Sequence, residues 1–153
     1  MPQVAIMMGS SSDAQVMAAA EEYLQFFGID FTTVVLSAHR NPDQTAEFAK
    51  TAEANGFSAV IAGAGMAAHL AGVVAAHTTL PVIGVPLGGS ALNGVDALYS
   101  MVQMPAGVPV ATMAIGKAGA RNAAVFVAEM LAPHFPSIKE KLRQFRAQGC
   151  ALN

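Results

Sequence analysis

The segment Ser37-Ala38-His39-Arg40-Asn41-Pro42-Asp43 sets a proton carrier beside a permanent cation. An imidazole changes charge in the neutral pH range and can both give and take a proton. A guanidinium stays charged, and its planar fork suits phosphate oxygens. Arg40 is one of only four Lys or Arg residues before position 137. Asn41 has the character of a helix N-cap, with Pro42 in the first helical position. That arrangement lifts Ser37, His39 and Arg40 clear of the elements on either side. The bland alternative is a surface histidine beside an incidental arginine.

Two further segments carry chemistry. Gly9-Ser10-Ser11-Ser12-Asp13 opens a helical pattern. Ser12 and Gln15 have capping-box spacing, so the serines could do no more than satisfy the orphan amides of a helix start. The other reading is an anion site, because a helix N-terminus presents N–H groups and positive dipole density to phosphate. Asp13 turns that reading towards a sugar phosphate: hydroxyls hold the phosphate while the carboxylate accepts hydrogen bonds from ribose.

The third segment, Gly63-Ala64-Gly65-Met66-Ala67-Ala68-His69-Leu70, matches G-x-G-x-x-A after an apolar run, the form of a dinucleotide fingerprint. That fingerprint expects an acidic residue about 20 positions on for the ribose, and none lies between Ala54 and Val95. The glycines instead allow close approach of backbone to a ligand. His69, near a helix start, is either a second polar group of the site or a cap. No metal site is expected. His69 and His77 on one helix would be separated by about 12 Å of rise, too far to share one zinc. Neither a G-x-S-x-G elbow nor a Walker lysine occurs.

These segments need elements to hold them. Short apolar runs alternate with helical patterns throughout, predicting strands at Gln3–Met8, Phe31–Leu36, Ala59–Ala62, Val82–Val85 and Val110–Ala114. Helices are predicted at Asp13–Phe27, Pro42–Asn55, Ala68–Thr78, Gly94–Val102, Lys117–Ala132 and Ser137–Gln148. Val4-Ala-Ile-Met-Met and Ala59-Val-Ile-Ala are apolar on both faces, as parallel strands covered on both sides require. Repeated right-handed βαβ crossovers give an α/β, doubly wound parallel sheet. Ligands of such sheets bind beyond the carboxyl ends of the strands, where all three segments fall. No linker or repeat interrupts the 153 residues, which are read as a single domain.

Charged residues make up 12% of the chain and hydrophobic residues 54%, against roughly 25% charged in an ordinary soluble domain. A lone globule would expose much apolar surface, and a homo-oligomer interface is the expected use of it. A membrane span at Phe57–Ala76 is disfavoured by Gly63, Gly65, Gly72 and His69 inside it and by the lack of basic flanks. No secretory signal pattern is visible, and a cytoplasmic location is expected. Cys150 stands alone, with no partner for an internal disulfide. The net charge of −2 argues against a nucleic-acid partner. Half of the cations (Lys139, Lys141, Arg143 and Arg146) fall on the wet face of one C-terminal helix.

The three segments, in this order and spacing, resemble the PurE family, the 5-(carboxyamino)imidazole ribonucleotide mutases of purine biosynthesis. The resemblance spans nearly the whole chain. It includes Met8-Gly-Ser-Ser-Ser-Asp13, Ser37-Ala-His-Arg40, Gly63-Ala-Gly65, Ala67-Ala-His-Leu70, Leu98-Tyr-Ser-Met-Val-Gln-Met-Pro105, Ala114-Ile-Gly-Lys-Ala-Gly119 and Asn122-Ala-Ala124. It implies a three-layer flavodoxin-like subunit in a homo-octamer, with active sites where subunits meet. It also implies carboxyl transfer without a cofactor. By matched position, Ser10, Ser12, Ser37 and Arg40 would engage the phosphate end and Asp13 the ribose. Gly65 and His69 would border the imidazole and carboxylate, and His39 would be the general acid and base. The chain departs from the family pattern at Ala14 (commonly Trp), Met66 (Gly), Ala71 (Pro) and Ala111 (Gly). An animal-type branch, which carboxylates aminoimidazole ribonucleotide with free carbon dioxide, typically has Lys where this chain has Arg40 and a different third loop. Arg40 and His69 therefore point to the mutase. The rival from another class is a non-catalytic nucleotide-binding module such as a flavodoxin-like FMN carrier.

Overall fold

The computed structural model describes residues 1–152. Five strands, β1 (Gln3–Met8), β2 (Asp30–Val35), β3 (Phe57–Gly65), β4 (Val82–Leu87) and β5 (Ala111–Thr112), form one sheet in the order β2-β1-β3-β4-β5. Every neighbouring pair is parallel. Six helices accompany them: α1 (Ala14–Phe27), α2 (Pro42–Thr51), α3 (Leu70–His77), α4 (Val95–Val102), α5 (Lys117–Leu131) and α6 (Pro136–Ala147).

Side-chain alternation along the strands divides the core in two. Val4, Ile6 and Met8 of β1 join Ile61, Ile83 and Val85 beneath α1, α5 and α6. Ala5 and Met7 join Val60, Ala62 and Val82 on the opposite face, under α2, α3 and α4. The result is the expected three-layer, doubly wound α/β architecture. A rim of aromatic rings (Tyr23, Phe26 and Phe27 against Phe145) attaches α6 to α1. Among the described residues no helix is long and apolar enough to cross a membrane.

Element identities follow the sequence reading, while several boundaries move for physical reasons. β3 does not end at Ala62 but continues through Gly65, pairing Gly63 with Val85 and Gly65 with Leu87. Gly63 is there for packing: a Cβ at that position would collide with the buried Met17 side chain of α1. β5 is shorter than predicted. Pro86 on its neighbour accepts from the Gly116 N–H at 2.9 Å but has no N–H to extend the ladder. α2 is regular only to Thr51. The chain then closes on Gly56 (φ +88°), with Phe57 N donating to Ala52 O at 3.1 Å. α3 begins at Leu70, after a tight turn, instead of at Ala68.

Candidate functional site

In the order β2-β1-β3-β4-β5 the chain reverses its direction of winding between β1 and β3, and a crevice opens outside the strand ends at such a point. The crevice is a cleft of about 910 Å³. Its walls include Ser10, Ser12, Asp13, Ser37, His39, Arg40, Gly65 and His69. All eight residues singled out from the sequence thus face one space. Among the described residues Arg40 is the only Lys or Arg lining it, and Asp13 the only Asp or Glu.

The loop after β1 is a 3-10 turn over Ser11–Asp13 that leads into α1. The expected Ser12–Gln15 capping box does not form. Ser10 is the cap: its Oγ accepts from the Ser12 N–H at 3.3 Å and lies 2.9 Å from the Ser12 Oγ. The short turn brings the cap forward by two residues, so both hydroxyls stand exposed over the helix start. Asp13, which follows, is half-buried. Burial raises its carboxyl above the ordinary value of 3.8, and a hydrogen bond with the Ser10 backbone partly offsets this.

The loop after β2 is fastened from within. Asn41 Oδ1 accepts from Ser37 N at 3.3 Å, and Ser37 Oγ accepts from Arg40 N at 3.1 Å. The fully buried Thr45 donates its hydroxyl to Ser37 O at 3.3 Å. Pro42 occupies the start of α2 as expected, but the Asn41 side chain turns back to Ser37 instead of capping the helix. The serine, asparagine and threonine are engaged with the backbone, whereas His39 and Arg40 are solvent-exposed.

After β3 the backbone turns sharply, with Ala68 N donating to Met66 O and His69 N to Ala67 O, each at 2.8 Å. Met66 carries the turn at φ +55°, the left-handed region where a side chain costs about 1–2 kcal/mol relative to glycine. Met66 is 63% exposed and lies on the rim of the cleft. Met66 thus takes a backbone conformation that ordinarily favours glycine. His69 holds the N-cap position of α3 without a side-chain cap bond, which leaves its exposed imidazole to the cleft.

Two parts of the wall were not assigned to the site from the sequence. Leu87 at the end of β4 with Gly88 and Gly89 beyond it, and Ile115 and Gly116 after β5, close the side opposite His39 and Arg40 in strand order. The Gly88-Gly89 pair, immediately after a buried strand, was the available signal. His77 and His134 do not line the cleft. Among the described residues, no group of three or more His, Cys, Asp or Glu is placed to hold a metal ion.

Known proteins resemble this chain in sequence and in fold. Residues 3–150 match the family described as AIR carboxylase. The chain is 56% identical over 145 residues to the bifunctional purine synthesis protein purC/E of Dictyostelium discoideum, a match covering 95% of this chain and 14% of that longer protein. It is 53% identical to the N5-carboxyaminoimidazole ribonucleotide mutase of Pyrococcus abyssi, covering 95% of this chain and 83% of the relative. In three dimensions it superposes on the crystal structure of Treponema denticola PurE with a TM-score of 0.88 at 26% identity, over 98% of this chain and 92% of that one.

Proposed function

The chain belongs to the AIR carboxylase family, and from that premise we propose that it is an N5-carboxyaminoimidazole ribonucleotide mutase of purine biosynthesis. It moves a carboxyl group from the exocyclic nitrogen of the ribonucleotide to ring carbon 4. The observation that carries the reading is that His39 and Arg40 stand exposed on the same cleft as Ser10, Ser12, Asp13 and His69.

Each role follows from the chemistry of its group. Arg40 and the hydroxyls of Ser10, Ser12 and Ser37 take the phosphate, by charge and by hydrogen bonds. Asp13 accepts from the ribose hydroxyls. Gly65 and His69 border the imidazole and its carboxylate. His39, as imidazolium, gives its proton to the carbamate nitrogen; the C–N bond breaks and carbon dioxide leaves. The resulting aminoimidazole is an enamine whose carbon 4 attacks the retained carbon dioxide, forming the C–C bond. Neutral His39 then removes the carbon 4 proton, which restores both aromaticity and the imidazolium. Protons balance with one imidazole. Such acid–base help is worth about 10²–10⁴-fold, and the rest comes from holding carbon dioxide in position away from water.

Residues 1–153 act as one domain in this reading, in the cytoplasm, as a homo-octamer with sites at subunit contacts. Exposed apolar side chains on α4 and the small share of charged residues support the assembly. Arg40 in place of lysine favours the carbamate as carboxyl source over free carbon dioxide. The test supplies purified protein with the carbamate nucleotide and, separately, with aminoimidazole ribonucleotide plus bicarbonate. Turnover of the first should far exceed that of the second, and the reverse order would replace the mutase with a carboxylase. His39→Asn should abolish turnover while nucleotide binding stays measurable by calorimetry; near-normal activity would remove His39 from the mechanism.

A further inference from the structure

The His69 imidazole hangs on two torsions and is exposed, and no side-chain hydrogen bond ties it to the helix start. Left to itself such a ring spreads over several rotamers. Three residues on, and therefore on the same face of the helix, stands Gly72. A Cβ at position 72 would overlap ring atom Cε1 of His69 and lie 2.7 Å from Nδ1 and 2.9 Å from Nε2. The imidazole therefore rests directly on the bare backbone of α3.

Nothing in the backbone conformation asks for glycine at this position. Gly72 lies within a regular helix and is absent from the residues with positive φ. Glycine in a helix interior is less favourable than any residue except proline. The missing side chain thus weakens α3 and in return leaves room that the ring of His69 occupies. We propose that Gly72 is a positioning residue: its bare Cα is the seat that holds the His69 imidazole at the mouth of the cleft. The inference rests on the reading of His69 as a group of the site. An alanine at position 72 would push against the far end of a movable side chain, so the fold should accept it while the ring is displaced.

Gly72→Ala is expected to keep a thermal midpoint at or above that of the wild type, because alanine favours the helix. Its kcat/KM should fall by about tenfold or more, since small misplacements of site groups are costly. The decisive comparison repeats the substitution in a His69→Ala background, where no ring remains to displace. There Gly72→Ala should cost nothing further. Equal losses in both backgrounds, or no loss in either, would overturn the proposal. The His69 ring Cε1–H resonance, assigned as the signal missing from His69→Ala, should also shift in Gly72→Ala; an unmoved resonance refutes the seat whether or not the protein turns over substrate. Absence of turnover in the wild type would instead sink the mutase reading and leave the resonance to decide the role of Gly72.

Discussion

The side chains of His39 and Arg40 stand exposed on a loop that their neighbours fasten. Ser37, Asn41 and Thr45 direct their polar atoms into the loop's own backbone, a local competition with regular structure that these short side chains are suited to. Asp13 carries the opposite tension. Burial raises its carboxyl above 3.8 in the folded chain, so the folded protein still holds a proton that the unfolded chain has already released. The contribution of Asp13 to stability is therefore most favourable at low pH, declines as pH rises through the interval between the two values, and is constant above it. Asp13→Asn should remove that decline. The difference in thermal midpoint between variant and wild type, followed against pH, should grow through the interval in favour of the variant and then level off. The same variant should bind nucleotide more weakly at neutral pH, because the proposed ribose contact needs a carboxylate acceptor. A midpoint difference independent of pH would mean that burial of this carboxylate carries no stability cost.

At the scale of elements, the site depends on how closely α1 approaches the sheet. Met17 of α1 occupies the space above Gly63 where a Cβ would sit, which sets the distance between the serine turn at the head of α1 and the end of β3. Gly63→Ala should destabilise the protein by about 1–3 kcal/mol through overpacking. Denaturant unfolding should also show that its cost and that of Met17→Ala are not additive, because the smaller side chain relieves the collision. Strict additivity would show that the two do not share the space. The parallel strands around this contact were legible as apolar runs. The extension of β3 through Gly65 was not, because glycine marks turns and close packing alike and only the partner helix distinguishes them. The capping box failed for a related reason: spacing allowed it, but a 3-10 turn intervened and made Ser10 the cap.

Over the whole molecule, four of the eight large exposed apolar side chains among the described residues lie at α4 and the turn before it. Leu92, Val95, Tyr99 and Val102 are 62%, 41%, 67% and 46% exposed. Val95, Tyr99 and Val102, spaced four and three apart, share one side of α4, and Leu92 lies in the turn before it. Met66, at the rim of the cleft, adjoins this helix through its carbonyl, 3.5 Å from the Ser100 hydroxyl. An octamer that buries the α4 stripe would bring subunit contacts to the edge of the site. Replacing Val95 and Val102 together by Glu should split the proposed octamer, because an unpaired charge is costly in an apolar contact. Light scattering should then report a smaller species; an undiminished mass would place the interface on another face.

Composition and periodicity alone determined the alternation of strands and helices, the burial of the central strands and the three segments that carry chemistry. Those properties are written in local patterns of residue type. Only the tertiary structure decided that Gly63 serves α1, that Met66 takes a left-handed backbone, that Gly88 and Gly89 complete the wall, and that Gly72 lies beneath an imidazole. Each depends on what the chain brings alongside from elsewhere, and the residue type is the same whether that neighbour is solvent, a helix or a ring.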